Sequence, residues 1–142
     1  RHVFLIRAPA EVAASFAAAT GSATADDLGA IRQSDLFEQA CQLTGHAWPV
    51  IEGADVLADP EAMLTALCAA IDIPFDAAML NWPAGPRDSD GVWAPWWYAR
   101  VEASTGFEPP QPSPHDFPDS LRPAVEACQP HYEALRARKL TA

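Results

Sequence analysis

His2-Val3-Phe4-Leu5-Ile6-Arg7-Ala8-Pro9-Ala10-Glu11-Val12-Ala13-Ala14-Ser15-Phe16 lies at the start of the chain, and its reading sets the fold class. Val3–Ile6 is an unbroken apolar run, the pattern of a strand covered on both faces in a parallel sheet. Arg7 ends that run abruptly. Pro9 suits the first turn of a helix, where its missing N–H would have no intrahelical partner in any case. Glu11 falls in the same turn, where the helix dipole favours a negative charge. Val12, Phe16 and Ala19 then recur at helical spacing, and Gly21 is a natural stop. In open α/β sheets ligands bind beyond the carboxyl ends of the strands. A guanidinium fork beside a helix N-terminus makes an anion pocket there. The Ser15 hydroxyl, eight residues after Arg7, adds a donor if the helix faces back toward the strand end. The same pattern also fits a surface arginine paired with Glu11 and a helix serine with no special task.

Working outward, a small polar linker runs from Gly21 to Asp27. Leu28, Ile31, Leu36, Phe37, Ala40, Cys41 and Leu43 predict one or two helices ending at Gly45. Ser34 or Asp35 would cap the later one, and Glu38 would complete a capping box from Asp35. Trp48–Glu52 reads as a second short strand. Asp59-Pro60-Glu61 is a helix start: a cap, a proline at the first helical position, an acid in the first turn. Met63, Leu64, Leu67, Cys68 and Ile71 then fall on one stripe. Phe75–Leu80 predicts a short turn or helix, Asn81–Asp90 a loop, and Val92–Ala103 a helix after Pro95. Leu121, Val125, Cys128, Tyr132 and Leu135 keep a helical period, while Pro123 and Pro130 predict an irregular start and a bend or break near Pro130. Two strands among several helices indicate an α/β layer: a partial parallel sheet flanked by helices, with a helix-rich C-terminal part. Two strands do not make a stable sheet alone, so further strands are expected elsewhere.

The 142 residues match one ordinary domain. Nineteen acidic residues against nine basic ones give a net charge of −10, and Lys139 is the single lysine. Duplex nucleic acid needs a face of many cations to release counterions, so the balance excludes nucleic acid and anionic membranes as partners. A few arginines can still hold one small anion. Cys41, Cys68 and Cys128 sit singly within helical patterns without a CxxC or Cys/His cluster, which predicts buried reduced thiols and no metal site. No signal segment and no run of membrane-spanning length is present, and a cytoplasmic location is expected. Prolines clustered in Glu108–Pro118 predict an irregular loop. Trp93, Trp96, Trp97 and Tyr98 fit an acceptor pocket or a stack on a base, although aromatics at close spacing more often pack. His46, His115 and His131 lack a carboxylate or thiol at ligand spacing, and Asp26-Asp27 and Asp88/Asp90 read as solvated loop charges.

His2–Phe16 resembles the 3′-phosphate-binding segment of the sulfotransferase family. There a strand ends in an arginine, usually Arg-Asp-Pro, and a serine follows eight residues later, as Arg7 and Ser15 do here. Val50–Pro60 is similar to the family's strand, acidic turn and proline-led helix. Leu80–Trp97, with Gly85, Arg87 and Trp93, is similar to its C-terminal loop that returns to the nucleotide. Trp97-Tyr98 and Ser104–Phe107 resemble a pattern of bacterial sulfotransferase-like proteins. The resemblance covers most of the chain. It implies a P-loop-type fold and 3′-phosphoadenosine 5′-phosphosulfate (PAPS) as sulfuryl donor to an unknown acceptor. It also implies that Arg7 and Ser15 hold the donor's 3′-phosphate, with Arg87 as a third contact; a loop arginine paired with Asp88 or Asp90 fits Arg87 equally.

The sequence departs from the family in two respects. Ala8 stands where the family usually has aspartate. No glycine-rich lysine motif is present for the 5′-phosphosulfate, and His2 is too close to Arg7 to match the family's upstream base, so no catalytic residue is assigned. Because such transfer rests on positioning and charge neutralisation, the chain alone is expected to be inactive. Residues 1–142 are therefore expected to be the C-terminal portion of a sulfotransferase-like domain. Its N-terminal P-loop half would be absent from this chain and supplied by a missing segment or partner chain. The opening Arg1-His2-Val3, without methionine, fits a fragment. One alternative is a non-catalytic module that docks a partner protein through its acidic surface and aromatic segment. Another is a phosphate-transferring P-loop enzyme such as a nucleotide kinase, which the Arg/Ser spacing disfavours.

Overall fold

Two short strands, β1 (Phe4–Ile6) and β2 (Val50–Glu52), pair in parallel in the computed structural model, which describes residues 1–92, 94–109 and 118–142 except the side chains of Trp96 and Trp97. The crossover between them runs through α1 (Pro9–Thr20), α2 (Ala25–Leu28) and α3 (Ala30–Thr44). After β2 come α4 (Gly53–Ala58), α5 (Pro60–Ala70), a 3₁₀ turn at Ala77–Leu80, α6 (Ala94–Trp97) and α7 (Ala99–Ala103). A second 3₁₀ turn at Asp119–Leu121 leads into α8 (Arg122–Arg136). The tail then returns to the sheet. Lys139 bridges Val50 in parallel, and the Leu140 N–H donates to the Val50 carbonyl at 2.7 Å. Parallel strands flanked by helices are the α/β layer that the sequence predicts.

Local chemistry explains most of the boundaries. Pro9 opens α1, and Gly21 closes it at φ +86°, a left-handed conformation that costs glycine little. The Asp59 carboxylate accepts the Ala62 N–H at 3.1 Å, and Pro60 follows in the first turn of α5. Two expectations change. Ser34 and Asp35 cap nothing, because α3 is one helix that already starts at Ala30. The capping box lies upstream: the Thr24 hydroxyl accepts the Asp27 N–H at 3.3 Å, and the Thr24 N–H donates to the Asp27 carboxylate at 2.8 Å. Hydrogen bonds from the Thr24 hydroxyl and N–H hold the Asp27 carboxyl below its usual range. Asp27 is thus the helix-side partner of a capping box on Thr24 and not only a solvated loop charge.

α8 organises the core. Leu121, at its entry, with Ala124 and Cys128, buries against Ala13 of α1 and Leu28 of α2. Tyr132 and Leu135 bury against Ile6, Val50 and Phe37. That single stripe, recurring every three or four residues, joins the strands to the crossover helices. It also explains why α8 runs unbroken through Pro130, contrary to the predicted break. Pro130 lies on the exposed side, while Cys128 and Tyr132 on either side of it are buried. Their packing outweighs the roughly 3 kcal/mol penalty of an interior proline. β1 also differs from expectation. Leu5 is 58% exposed, so the run is not covered on both faces, and the Gln33 amide donates to the Leu5 carbonyl at 2.7 Å.

One charge is buried beneath this stripe. The Glu52 side chain is 9% exposed at the carboxyl end of β2. The Tyr132 hydroxyl donates to one of its oxygens, and the Lys139 ammonium donates to the other at 2.6 Å. Lys139 also donates to Asp55 at 2.6 Å, and Arg136 Nε lies 3.5 Å from Glu52. Burial pushes the Glu52 carboxyl up, but the hydrogen bonds from Lys139 and Tyr132 and the nearby cations together outweigh it and hold it below its ordinary 4.5. Hydrogen bonds to Asp55 and Glu52 raise Lys139 above its ordinary 10.5. Burial, followed by the hydrogen bond to Glu52, pushes the Tyr132 hydroxyl up.

Removing the carboxylate leaves the Tyr132 hydroxyl without its acceptor and Lys139 with Asp55 as its remaining carboxylate. Glu52→Ala should therefore lower the unfolding free energy by about 3 kcal/mol or more in a denaturant titration. The pH dependence has two signs. Glu52 contributes fully above its unfolded value near 4.5, and that share is lost as pH falls through the lower folded value. Lys139 contributes fully below 10.5 and loses its share as pH rises through the higher folded value. Thermal melts at neutral pH and at about pH 3.5 should show wild type losing more stability on acidification than Glu52→Gln.

Candidate functional site

Ile6 is buried in the strand core, Ala8 packs against the same cluster, and Pro9 is buried as α1 begins. With the backbone fixed on both sides, the Arg7 side chain emerges at the carboxyl edge of the sheet, 54% exposed. Its Nε donates to Glu11 Oε2 at 2.8 Å. Glu11, 25% exposed, lies in the first turn of α1. Ser15 follows four residues later and is exposed, so the two share a helix face. Arg7, Glu11 and Ser15 thus run along one side of α1. Ala8 offers no side-chain cap, and the N–H groups of Glu11 and Val12 both donate to its carbonyl, at 3.0 and 3.1 Å.

Arg7 also borders a surface cavity of about 290 Å³ that Leu5, Pro9, Val12, Leu28 and Gln33 line with it; neither Ser15 nor Arg87 reaches it. Arg87 is exposed in its own loop. Its N–H donates to the Asp90 carboxylate at 2.8 Å and its guanidinium to the Pro83 carbonyl at 3.4 Å. Asp90 therefore pairs with the backbone of Arg87 and not with its charge. Among the described residues, none of these bonds joins Arg87 to Arg7 or Ser15.

The base of that loop is well anchored. Trp82 Nε1 donates to the Ser104 hydroxyl at 3.0 Å, and the Trp82 ring meets Phe107 edge-on at 5.3 Å. The Gly85 N–H donates to the Glu102 carbonyl at 2.7 Å, and Asn81 bridges Gly106 in antiparallel pairing. A Cβ at Gly106 would sit 3.1 Å from the Leu80 carbonyl, which explains a glycine there. The Ser104–Phe107 pattern thus closes onto the start of the Arg87 loop, a pairing that spacing alone did not reveal. Trp93, His115 and residues 110–117 lie outside the described residues, as do the side chains of Trp96 and Trp97, so the aromatic pocket is not described. His46 and His2 both pack on Trp48, with ring centres 4.7 and 4.9 Å away, and His131 is half-buried on α8. Cys68 and Cys128 are buried and Cys41 half-buried, all as free thiols. Among the described residues no group of three or more His, Cys, Asp or Glu could hold a metal ion, and no helix is long and apolar enough to cross a membrane.

The model of a sulfotransferase domain family matches residues 1–139. The chain belongs to that family. Two curated relatives are also similar, both from Arabidopsis thaliana. Branched-chain-amino-acid aminotransferase-like protein 2 is 40% identical over 136 residues, and protein 1 of the same name is 39% identical over 137. Each match covers 96% of this chain but 24% of the relative, so the chain spans about a quarter of their length. No solved structure matches.

The Arg7–Glu11 pair lies at the surface, where such pairs contribute about 0–1 kcal/mol. Arg7→Ala should therefore change the unfolding free energy by less than about 1 kcal/mol in a denaturant titration. A larger loss would show that Arg7 holds the fold together and would confound any binding result.

Proposed function

We propose that this chain carries the 3′-phosphate part of the donor site of a PAPS-dependent sulfotransferase. Arg7 and Ser15 hold the phosphate, and Arg87 is a third contact from the loop after the 3₁₀ turn. One observation carries the reading: in a chain of this family, Arg7 leaves the carboxyl end of a core strand with Glu11 and Ser15 following at one-turn intervals. A guanidinium offers five donors in a planar fork. With Nε on Glu11, its Nη side fits a phosphate bidentately, and the serine hydroxyl suits a further oxygen.

The residues present fit only this end of the donor. The 5′-phosphosulfate needs a cation and a loop of backbone N–H groups where charge develops. The single lysine is bound to Glu52 and Asp55. In this reading the loop and the base come from elsewhere in the intact protein, residues 1–142 being the C-terminal portion of the domain. The donor supplies the sulfuryl group; Arg7 and Ser15 bind and orient it, and no proton-transfer step is assigned to this chain. The relatives' names describe proteins about four times longer, and amino-group transfer is not carried over to this segment.

Calorimetric titration of the intact protein with adenosine 3′,5′-bisphosphate and with ATP tests the proposal. The bisphosphate should bind more tightly, and Arg7→Ala should weaken it about tenfold or more, the equivalent of one lost charge-assisted contact. Equal affinity for the two nucleotides, or bisphosphate binding that Arg7→Ala leaves unchanged, contradicts it.

A further inference from the structure

We infer that Glu11 is a positioning residue for this phosphate site, holding the Arg7 guanidinium in the orientation that binds the anion; the inference rests on the proposed 3′-phosphate reading. An ion pair beside an anion-binding arginine has two opposite physical meanings. It can neutralise the arginine and compete with the ligand, or it can fix the fork and leave its other edge ready. Which atom is bonded separates them. The carboxylate contacts Nε, at 2.8 Å, and Nε lies on the stem side of the guanidinium. The planar group has little freedom once that N–H is held, and the edge formed by its two Nη groups points away from the Nε–H. Fixing a side chain before binding reduces the ordering cost at the moment of binding.

The placement of Glu11 supports the same meaning. It sits on a twelve-residue helix whose first turn is buried at Pro9, so its own base is fixed. It lies one turn before Ser15 on the same face. Glu11 lies between Arg7 and Ser15 on this stripe, so an anion held by both would meet the guanidinium on the edge that Nε does not occupy. Ala8, next to Arg7, has no polar side chain to do this work, and the Gln33 amide near the strand end donates to the Leu5 carbonyl.

Bisphosphate affinity in the intact protein, wild type against Glu11→Gln and Glu11→Ala, decides the matter. Gln keeps an oxygen acceptor for the Arg7 Nε–H without the charge, and both replacements are good helix formers. Circular dichroism should confirm that α1 is retained. Glu11→Ala should weaken binding about fivefold or more, and Glu11→Gln should stay within about twofold of wild type. In parallel, the Arg7 Nε–H resonance, assigned by its loss in Arg7→Lys, should move in Glu11→Ala. In wild type it should keep its Glu11-dependent position when the bisphosphate saturates the site. Equal effects of the two substitutions, tighter binding in Glu11→Ala, or a resonance released by the ligand would each overturn the inference. Failure of the 3′-phosphate reading shows differently, as bisphosphate binding that is absent or indifferent to Arg7→Ala, and would remove this inference with it.

Discussion

The register of one short parallel pair governs the molecule. Setting Ile6 opposite Glu52 brings two chain exits to the same carboxyl edge, where Arg7 turns into α1 and Gly53 turns into α4. A Cβ at Gly53 would lie 3.8 Å from the Ile6 carbonyl, so the two exits are close neighbours. Two strands of three residues are far below what water tolerates as an independent sheet. The pair survives because Phe37, Tyr132 and Leu135 cover Ile6 and Val50 from one side. The tail bonds β2 along its other edge.

The buried carboxylate follows from that register. Glu52 ends β2 on the face that α8 covers, and a charge there is tolerated only when its oxygens are bonded. Tyr132 and Lys139 fulfil this from α8 and from the tail, 80 and 87 residues along the chain. The network gives the segment around Lys139 a specific place on the sheet. It also separates the roles of the charged groups at this edge. Lys139 is committed to the fold, whereas Arg7 is tied by one surface contact and keeps the rest of its fork available.

Much of this was legible in the sequence because it rests on neighbours in the chain. Pro9, Gly21, Asp59 and Pro60 mark helix ends through their own backbone chemistry. The elements expected at β1, α5 and α8 form, although Leu5 of β1 is exposed. Other features depend on contacts that spacing does not encode. The role of Lys139 was not legible because its partners, Glu52 and Asp55, lie far away in sequence. Pro130 looked like a break because the packing on either side of it is tertiary. The Thr24–Asp27 box carried a local signal, a threonine three residues before an acid, that the two adjacent aspartates obscured. At the site, the Arg7–Glu11 pairing was readable from an interval of four residues, but the nitrogen engaged was not. The sequence alone also left open whether Arg87 meets Arg7; its bonds remain within its own loop.

A solved structure of the intact protein with adenosine 3′,5′-bisphosphate bound tests the central claim most directly. The account predicts a 3′-phosphate within hydrogen-bond distance of Arg7 Nη and Ser15 Oγ, at the carboxyl edge of β1. A nucleotide seated elsewhere, with Arg7 facing only solvent and Glu11, would contradict it.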